Sequence, residues 1–445
     1  MSADETPRPH RPTDDAAATR DVAAFRDAVV AGDVARARQL LTWPHVRDRV
    51  DDPLFAFGRS AVHEAATNVP LLEVLLAAGA NPDRPSVWAN GPFTPLDHAT
   101  EDTARWLLAH GATLTPHAAA RLGWIDDLRA LLDADRTGVH ARGGDGVQPL
   151  HGAKTVAIAD LLLAAGAEVD TRCLDHQSTP AQYALADRPD VCRFLLDHDA
   201  TPDIFMAARL GDLALTDRLC EADPACVAAR IGDVGYAPVS PVSIYGWTLG
   251  FGLSPHQVAG RYGHHDVQDR LTSKSQARVR FANAVLATDE PAVLAILAED
   301  PSVAAAYSAD PHGSLARAIF HGHLEAAALM IRLGFDPAVP GVDGGTALHA
   351  ACWMGHVPLV ERLIAVGGVA LDARDPVHGS TPLGWAAFGS VHRRAADGDY
   401  AAVIERLVAA GADIRAAGNG QGRSLLAMAE GHPAVQQTLR RLGAA

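Results

Sequence analysis

Apolar residues recur with a helical period in residues 346–368, which read TALHAACWMGHVPLVERLIAVGG. Small alanines surround Leu348 in the first half, and Gly355 then predicts the end of a first helix because glycine adopts a left-handed backbone at little cost. Pro358 suits the first turn of a second helix, whose apolar residues, among them Val360, form one stripe. The pattern therefore predicts two short helices with one shared apolar side. A unit this short buries that side only against similar neighbours.

The same pattern recurs along the chain. Clear openings of a first helix are SAVHEAA from Ser60, TPLDHAT from Thr94, QPLHGAK from Gln148, TPAQYAL from Thr179, SPHQVAG from Ser254 and TPLGWAA from Thr381. A second apolar helix follows, such as LLEVLLAAGA from Leu71, and other segments keep the helix pair without the opening, such as FRDAVVAGDVARARQLL from Phe25. Together these segments predict about 13 helix pairs.

These openings resemble the ankyrin repeat family, whose pattern is T-P-L-H-x-A-A-x-x-G-H followed by an apolar helix and L-L-x-x-G-A. The resemblance extends from about Val22 to the C-terminus. It implies an all-α fold, an ankyrin-type solenoid of stacked helix-turn-helix repeats with short β-hairpin fingers or loops. It also implies that the Thr and His of an opening bond each other and the nearby backbone.

The histidine of the opening is not present in every repeat. It is found at His63, His151 and His349 and is replaced at Asp97, Gln182, Gln257 and Gly384. We therefore expect the repeats that lack it to be held together less tightly.

Composition divides the chain into four predicted segments. Residues 1–21 are polar and are expected to form a disordered tail. Residues 22–230 and 253–445 carry the repeats, and the last repeat ends in a polar helix, as a terminal cap requires. Residues 231–252 are rich in proline, glycine and aromatic residues and interrupt the repeat pattern. In stacked repeats such insertions are loops on one face, often the face that binds.

Charge and cysteine usage limit the class of partner. The net charge is −15, which argues against binding nucleic acid, because a phosphate backbone is normally met by a basic face. No apolar run approaches the length of a membrane span, so no membrane partner is expected. The five cysteines are odd in number and include no C-x-x-C, which is typical of reduced thiols in a cytoplasmic protein. We expect a monomer.

Motifs for chemistry are weak. There are 21 histidines, but many occupy the two histidine positions of the repeat, so a structural role is favoured over a metal site. No H-E-x-x-H or G-x-S-x-G is found, and GNGQGR at Gly418 lacks the preceding strand of a phosphate-binding turn. Cysteines on the helices are expected to be inert. The sequence thus predicts no catalytic residue, no metal ligand and no cofactor.

Acidic residues recur at predicted loop tips, where aspartate commonly forms a turn by bonding its own backbone. They are Asp145, Asp310, Asp343 and Asp375. Turn formation is the favoured role, although an acidic fringe would also steer a basic partner.

Large aromatic residues are the best candidates for binding, because a repeat core of small residues does not require them and such side chains are favoured binding anchors. The predicted binding residues are Trp88 and Phe93 in one finger, Tyr236, Tyr245 and Trp247 in the insertion, and Phe320, Trp353 and Met354 at variable positions before a repeat glycine. In ankyrin repeats these variable positions commonly lie on the concave face. The alternative is that the aromatic residues fill gaps left by irregular stacking.

Three hypotheses for function remain. The leading hypothesis is a non-catalytic scaffold or adaptor that binds another protein. The alternative is a dedicated inhibitor or antitoxin-like subunit of one enzyme. A third hypothesis is an enzyme whose site lies between the insertion and the histidines of the middle repeats, which a cluster of histidine and carboxylate groups around Tyr245 would favour.

Overall fold

The computed structural model describes residues 15–233, 235–309, 315–393, 395–415 and 418–444. Its regular structure there is helical, and β-pairing is limited in those ranges to two isolated bridges, Phe55 with Arg59 and Gly418 with Ser424. The predicted all-α fold is therefore confirmed, with loops in the place of fingers. No helix within these ranges is long and apolar enough to cross a bilayer.

The chain forms two compact units. Unit 1 comprises Met1–Leu210 and Val234–Gly250, and unit 2 comprises Gly211–Asp233 and Phe251–Ala445. Most of the predicted insertion, residues 231–252, thus belongs to unit 1.

Unit 1 contains twelve of the α-helices that the structure describes. They are α1 (Asp15–Val30), α2 (Val34–Leu41), α3 (Pro44–Arg47), α4 (Ala61–Glu64), α5 (Val69–Ala77), α6 (Glu101–Ala109), α7 (Pro116–Leu122), α8 (Ile125–Ala134), α9 (Val156–Ala164), α10 (Pro180–Ala184), α11 (Pro189–Leu196) and α12 (Ile204–Leu210). Short 3₁₀ turns span Ala56–Gly58, Pro95–Asp97, Arg136–His140, Gly144–Gly146 and Pro149–Gly152, and one π turn spans Gly246–Gly250.

Helix α1 begins at Asp15, inside the stretch 1–21 for which the sequence suggests a disordered tail. Residues 1–14 lie outside the described ranges. The run DAAATRDVAA has good helix formers, and Val22 and Phe25 bury one face of the helix in the core of unit 1.

Unit 2 contains fourteen α-helices within the described ranges. They are α13 (Leu213–Ala222), α14 (Pro255–Arg261), α15 (His265–Lys274), α16 (Ala277–Leu286), α17 (Glu290–Glu299), α18 (Val303–Ser308), α19 (Leu315–Phe320), α20 (Leu324–Arg332), α21 (Ala347–Met354), α22 (Val357–Val366), α23 (Pro382–His392), α24 (Tyr400–Ala409), α25 (Leu425–Met428) and α26 (Pro433–Leu442). The 3₁₀ turns here are Pro224–Ala228 and Val342–Gly344.

Stacking in unit 2 follows the repeat. The first helix α21 packs between the first helices α19 and α23, and the second helix α22 packs between α20 and α24. Buried side chains such as Leu348, Val360 and Leu383 form one continuous core through these layers. The terminal helix α26 buries Val435 and leaves Arg440 exposed, which suits the end of a stack.

The histidine of the opening joins each repeat to the next loop. In unit 2, Thr346 Oγ1 lies 2.9 Å from His349 Nδ1, and His349 Nε2 lies 3.2 Å from the carbonyl oxygen of Ser380. In unit 1, Ser60 and His63 form the same pair, and His63 Nε2 reaches the carbonyl of Phe93. The expected bonding of this histidine is confirmed.

Asp97 and Gln182, which replace this histidine, still cap the first helix. The backbone N–H of Thr94 donates to Asp97 at 2.6 Å, and that of Thr179 donates to the amide oxygen of Gln182 at 3.1 Å. Whether these repeats are held less tightly stays a prediction.

The predicted turn role of the loop aspartates is confirmed where the structure describes them. Asp145 and Asp343 have a left-handed backbone, with φ of 57° and 52°. Asp375 accepts the backbone N–H groups of Val377 and Ser380. Asp310 lies outside the described residues.

Candidate binding site

An aromatic groove lies along the first helices α19, α21 and α23 of unit 2. We use this name for the cavity of about 540 Å³ whose floor includes Phe320, Trp353, Trp385 and Phe388. The Phe320 and Trp353 rings stack with centroids 6.2 Å apart, and the Trp353 and Phe388 rings lie 6.1 Å apart. The rings of Trp353 and Trp385 meet edge to face at 6.4 Å. The floor is thus a connected layer of aromatic side chains.

The repeat places these rings together. Trp353 stands seven residues after Thr346, and Phe388 stands seven residues after Thr381. Because stacked first helices bring equivalent positions side by side, the same offset in neighbouring repeats forms a row. Phe320 continues the row on α19. Sequence reasoning missed Phe388, although its offset from Thr381 could have identified it.

Trp385 is held in place by a buried carboxylate. Its indole N–H donates a hydrogen bond of 2.8 Å to Asp375 Oδ2, and Asp375 is 2% exposed. Burial opposes ionisation of Asp375, but hydrogen bonds from Trp385 and from the backbone N–H groups of His378 and Ser380 hold its pKa below the ordinary value. No signal in the sequence pairs the indole of Trp385 with Asp375.

The rim of the aromatic groove is formed by loop tips. His378 Nε2 lies 3.2 Å from Asp343 Oδ2, and Gln421 and Arg423 also line the cavity. Val377 lines it as well and is 63% exposed. The site therefore offers an apolar floor and a polar, mixed-charge rim.

The predicted binding residues of the repeats differ in their placement. Phe320 and Trp353 line the aromatic groove, whereas Met354, the next residue on α21, is 7% exposed and belongs to the core of unit 2. Consecutive helix positions point in different directions, so neighbouring variable positions do not share a face. We therefore leave Met354 out of the binding surface.

The insertion places its aromatic residues differently again. Tyr245 is fully buried and donates to Asp203, and Tyr236 accepts the backbone N–H of Ile204 through its hydroxyl. Trp247 is 59% exposed and its ring lies 4.5 Å from that of His176. Tyr245 therefore presents no surface to a partner, and Trp247 does.

The finger residues lie in unit 1. The indole N–H of Trp88 donates to Asp145 at 3.0 Å, and the Phe93 ring lies 5.2 Å from that of His98. Both side chains are half-buried. The structure thus brings Trp88 and Trp247 to a common cluster that includes Asp145 and His176, although they are far apart in sequence.

Buried histidines of the openings are structural and neutral near pH 7. Burial lowers the pKa of His63 and His349, and it lowers the pKa of His151 to about 4. Their hydrogen bonds hold the loops in place, and their side chains are not exposed to a ligand.

All five cysteines are buried free thiols. Burial raises the pKa of Cys192 to about 12 and raises that of Cys352 further, which disfavours the reactive thiolate. Cys220 differs, because the neighbouring Cys226 thiol donates to it at 3.6 Å and lowers its pKa.

Tandem helix pairs define a helical repeat protein when their first helices stack and their loops are held by hydrogen bonds, as they are here. Residues 315–417, which hold every ring of the aromatic groove floor named above, match the family model for ankyrin repeats in three copies. Residues 315–417 are thus ankyrin repeats, and ankyrin repeats are protein–protein interaction modules. No curated protein matches the chain.

Proposed function

We propose that this protein is a non-catalytic interaction protein that binds a segment of another protein in the aromatic groove. The observation that supports the proposal is the row of rings from three neighbouring repeats, Phe320, Trp353 and Phe388, beneath a polar rim. Stiff aromatic rings bury a large area at little cost in conformational entropy, so they provide most of the affinity in many interfaces.

The dimensions and chemistry of the aromatic groove favour an extended peptide segment as the occupant. One or two large apolar side chains would cover the rings, while the peptide backbone would hydrogen-bond to rim groups such as Gln421 and His378. The net charge of −15 would attract a segment with basic flanks and accelerate its association.

A matched pair of valine substitutions tests this proposal. Val377→Asp places a carboxylate over the apolar floor, and we expect partner recovery from a native extract to fall at least tenfold. Val366→Asp is the control, because Val366 is also exposed, at 58%, and lies at the end of α22 outside the lining of the aromatic groove. Equal recovery with Val377→Asp and wild type would reject the aromatic groove as the binding site.

Trp247 is proposed as a separate contact on unit 1, because at 59% exposure it is more exposed than Phe251, at 38%, in the same insertion. Trp247→Ala in the same experiment reports on this contact independently of Val377→Asp. Unchanged recovery with Trp247→Ala would assign binding to unit 2 alone.

The identity of the recovered proteins separates a scaffold from an inhibitor. Several partners that compete for the aromatic groove would support a scaffold or adaptor. A single enzyme, recovered in equal amount and inactive while bound, would instead identify a dedicated inhibitor or antitoxin-like subunit.

A further inference from the structure

Three side chains of metal-ligating type converge in unit 1. His176 Nε2 lies 3.5 Å from Asp175 Oδ2 and 3.9 Å from Asp145 Oδ2. One ligand atom from each of the three residues lies within 4.8 Å of the others. We call this group the Asp–Asp–His cluster.

Two successive loops position the cluster. Asp145 lies in the Gly144–Gly146 turn, and its backbone oxygen accepts the N–H groups of Leu174 and Asp175 at 2.9 and 3.1 Å. These backbone bonds hold the loop of Asp145 against the loop of Asp175 and His176. The three side chains therefore approach one another because of fixed backbone contacts, and not only because of their own charges.

Each member of the cluster has a hydrogen bond on the atom that faces away from the others. Trp88 Nε1 donates to Asp145 Oδ1 at 3.0 Å, and Asn90 Nδ2 donates to Asp175 Oδ1 at 2.5 Å. These bonds orient both carboxylates and leave each Oδ2 directed towards His176.

The imidazole of His176 is oriented in the same way. Its Nδ1 lies 3.2 Å from the carbonyl oxygen of Val242. A carbonyl only accepts, so Nδ1 carries the hydrogen, and Nε2 is the ring nitrogen that faces the two carboxylates. Outer hydrogen bonds of this kind are typical of metal ligands, because they fix the tautomer and the ring orientation.

The repeat does not explain the cluster. His176 occupies neither histidine position of the ankyrin pattern, unlike His151 and His349. The adjacent carboxylates of Asp145 and Asp175 also repel each other. A bound cation would offset that repulsion.

We propose that unit 1 binds one divalent transition-metal ion of the Zn²⁺ type through Asp145, Asp175 and His176. In a tetrahedral zinc site with bonds of about 2.1 Å, neighbouring ligand atoms are separated by about 3.4 Å. The two distances to His176 Nε2 are close to that value, so small side-chain movements close the site. The ligand side chains are 11–28% exposed, which leaves room for a water molecule at the fourth position.

The metal ion would link two loops and the insertion. Asp145 and Asp175 belong to successive loops, and His176 contacts the insertion through the carbonyl of Val242 and the ring of Trp247. The proposed site goes beyond protein binding in the aromatic groove, because the groove lies in unit 2 and does not involve these residues.

Calorimetric titration of the tag-free full chain, stripped with chelator, with ZnCl₂ and separately with MgCl₂ tests the proposal. We expect one Zn²⁺ per chain, and weaker binding of Mg²⁺ because it prefers an octahedral shell of oxygen ligands. Tryptophan fluorescence should change on Zn²⁺ addition, because Trp88 donates to Asp145 and Trp247 contacts His176, and Trp247→Phe should reduce that change while binding persists.

Variants distinguish the cluster from adventitious surface binding. Asp175→Asn and His176→Ala each remove a ligand and should lower Zn²⁺ affinity by more than about 100-fold, whereas Asn90→Ala should lower it about 10- to 100-fold. Asp343→Asn is the matched control, since Asp343 pairs with His378 at 3.2 Å in unit 2 and should leave Zn²⁺ binding unchanged.

The outcomes decide between a metal site and a simple ion-pair network. Saturable binding that is lost in Asp175→Asn, with a helical circular dichroism spectrum like that of wild type, supports the metal site. Absence of saturable Zn²⁺ binding to folded wild type overturns it, and so does equal binding by wild type, Asp175→Asn and His176→Ala.

Discussion

The hydroxyl of Tyr245 donates a hydrogen bond of 2.9 Å to Oδ2 of Asp203, and both side chains are buried. Gln182 Nε2 donates to the same oxygen at 3.1 Å, and the N–H groups of Phe205 and Met206 donate to Oδ1. Asp203 therefore binds the start of α12 on one side and the insertion on the other. Tyr245 is the anchor of the insertion within unit 1.

Tyr245→Phe removes one donor from this buried carboxylate and keeps the ring. We expect unit 1 to lose about 1–3 kcal/mol of unfolding free energy, because a buried acceptor loses a partner without gaining water. Urea unfolding measures the loss, and hydrogen exchange should place it in residues 235–250 and α12. Tyr183→Phe is the control, since the Tyr183 hydroxyl donates only to a sulfur at 3.5 Å and should cost less. Equal losses in the two variants would contradict this role of Asp203.

The role of Tyr245 shows where sequence reasoning ends. The repeats are periodic, so apolar spacing and the glycine stops predict the helices and their order. The insertion has no period, and an aromatic residue there could equally face solvent or the core. Only the fold brings Tyr245 to Asp203, which precedes α12 by one residue. The sequence therefore predicts the candidate residues of the insertion but not their orientation.

The aromatic groove was partly predictable for the same reason. Phe320 and Trp353 occupy equivalent positions in neighbouring repeats. Stacking of the repeats brings such positions side by side, so the contact between the two rings follows from the pattern. Asp375, in contrast, reaches Trp385 through a loop whose path depends on local turns. The Asp–Asp–His cluster depends on the approach of two separate loops and has no signal in linear spacing.

His151→Gln should make unit 1 less sensitive to acid. Gln182 stands at the position of its own repeat that is equivalent to His151. Its side chain caps the first helix and donates a hydrogen bond to the next segment, so a glutamine can replace the histidine at residue 151. Burial lowers the pKa of His151 to about 4, while the unfolded chain binds the proton near pH 6.5. The unfolded state thus holds more protons between these values, and stability falls as the pH decreases from about 6.5 to 4.

The size of this effect follows from the two pKa values. Between pH 7.5 and 5.0, the His151 site should account for about 2 kcal/mol of the stability that wild type loses. His151→Gln should therefore lose about that much less over the same interval, as measured by urea unfolding at both pH values. His63 titrates in the same direction and remains in both proteins as an internal reference. Identical pH dependence in wild type and variant would show that His151 is not protonated on unfolding.

Trp385→Phe should destabilise unit 2 while preserving the aromatic floor. The variant leaves Asp375, which is buried, without one of its donors, at a cost of about 1–3 kcal/mol. Trp353→Phe is the control, because the Trp353 indole N–H has no hydrogen bond to any residue within the described ranges. We expect the control to unfold at nearly the urea concentration of wild type. A larger effect of Trp353→Phe would mean that ring packing outweighs the bond to Asp375.

Gly389 on α23 allows the close approach of α21. A Cβ atom at residue 389 would lie 2.7 Å from the carbonyl oxygen of Trp353 and 3.1 Å from the ring of Tyr400. Backbone on the neighbouring helix cannot move aside as a flexible side chain does, so Gly389→Ala must separate α21 from α23. We expect a loss of about 1–3 kcal/mol, despite the higher helix propensity of alanine.

The effect of Gly389→Ala on binding follows from its position. Trp353 and Phe388 meet across the α21–α23 contact, so separating the helices widens the aromatic groove, and partner affinity should fall together with stability. Gly384→Ala, on the same helix, is the control for stability, because the atoms nearest to its Cβ would be side-chain atoms of Ser380 and Met428, at 3.2 Å or more. Urea unfolding is measured for both variants, and partner recovery for Gly389→Ala, because Gly384 itself lines the aromatic groove. If Gly389→Ala proves as stable as wild type and binds equally well, the spacing of α21 and α23 does not control the groove.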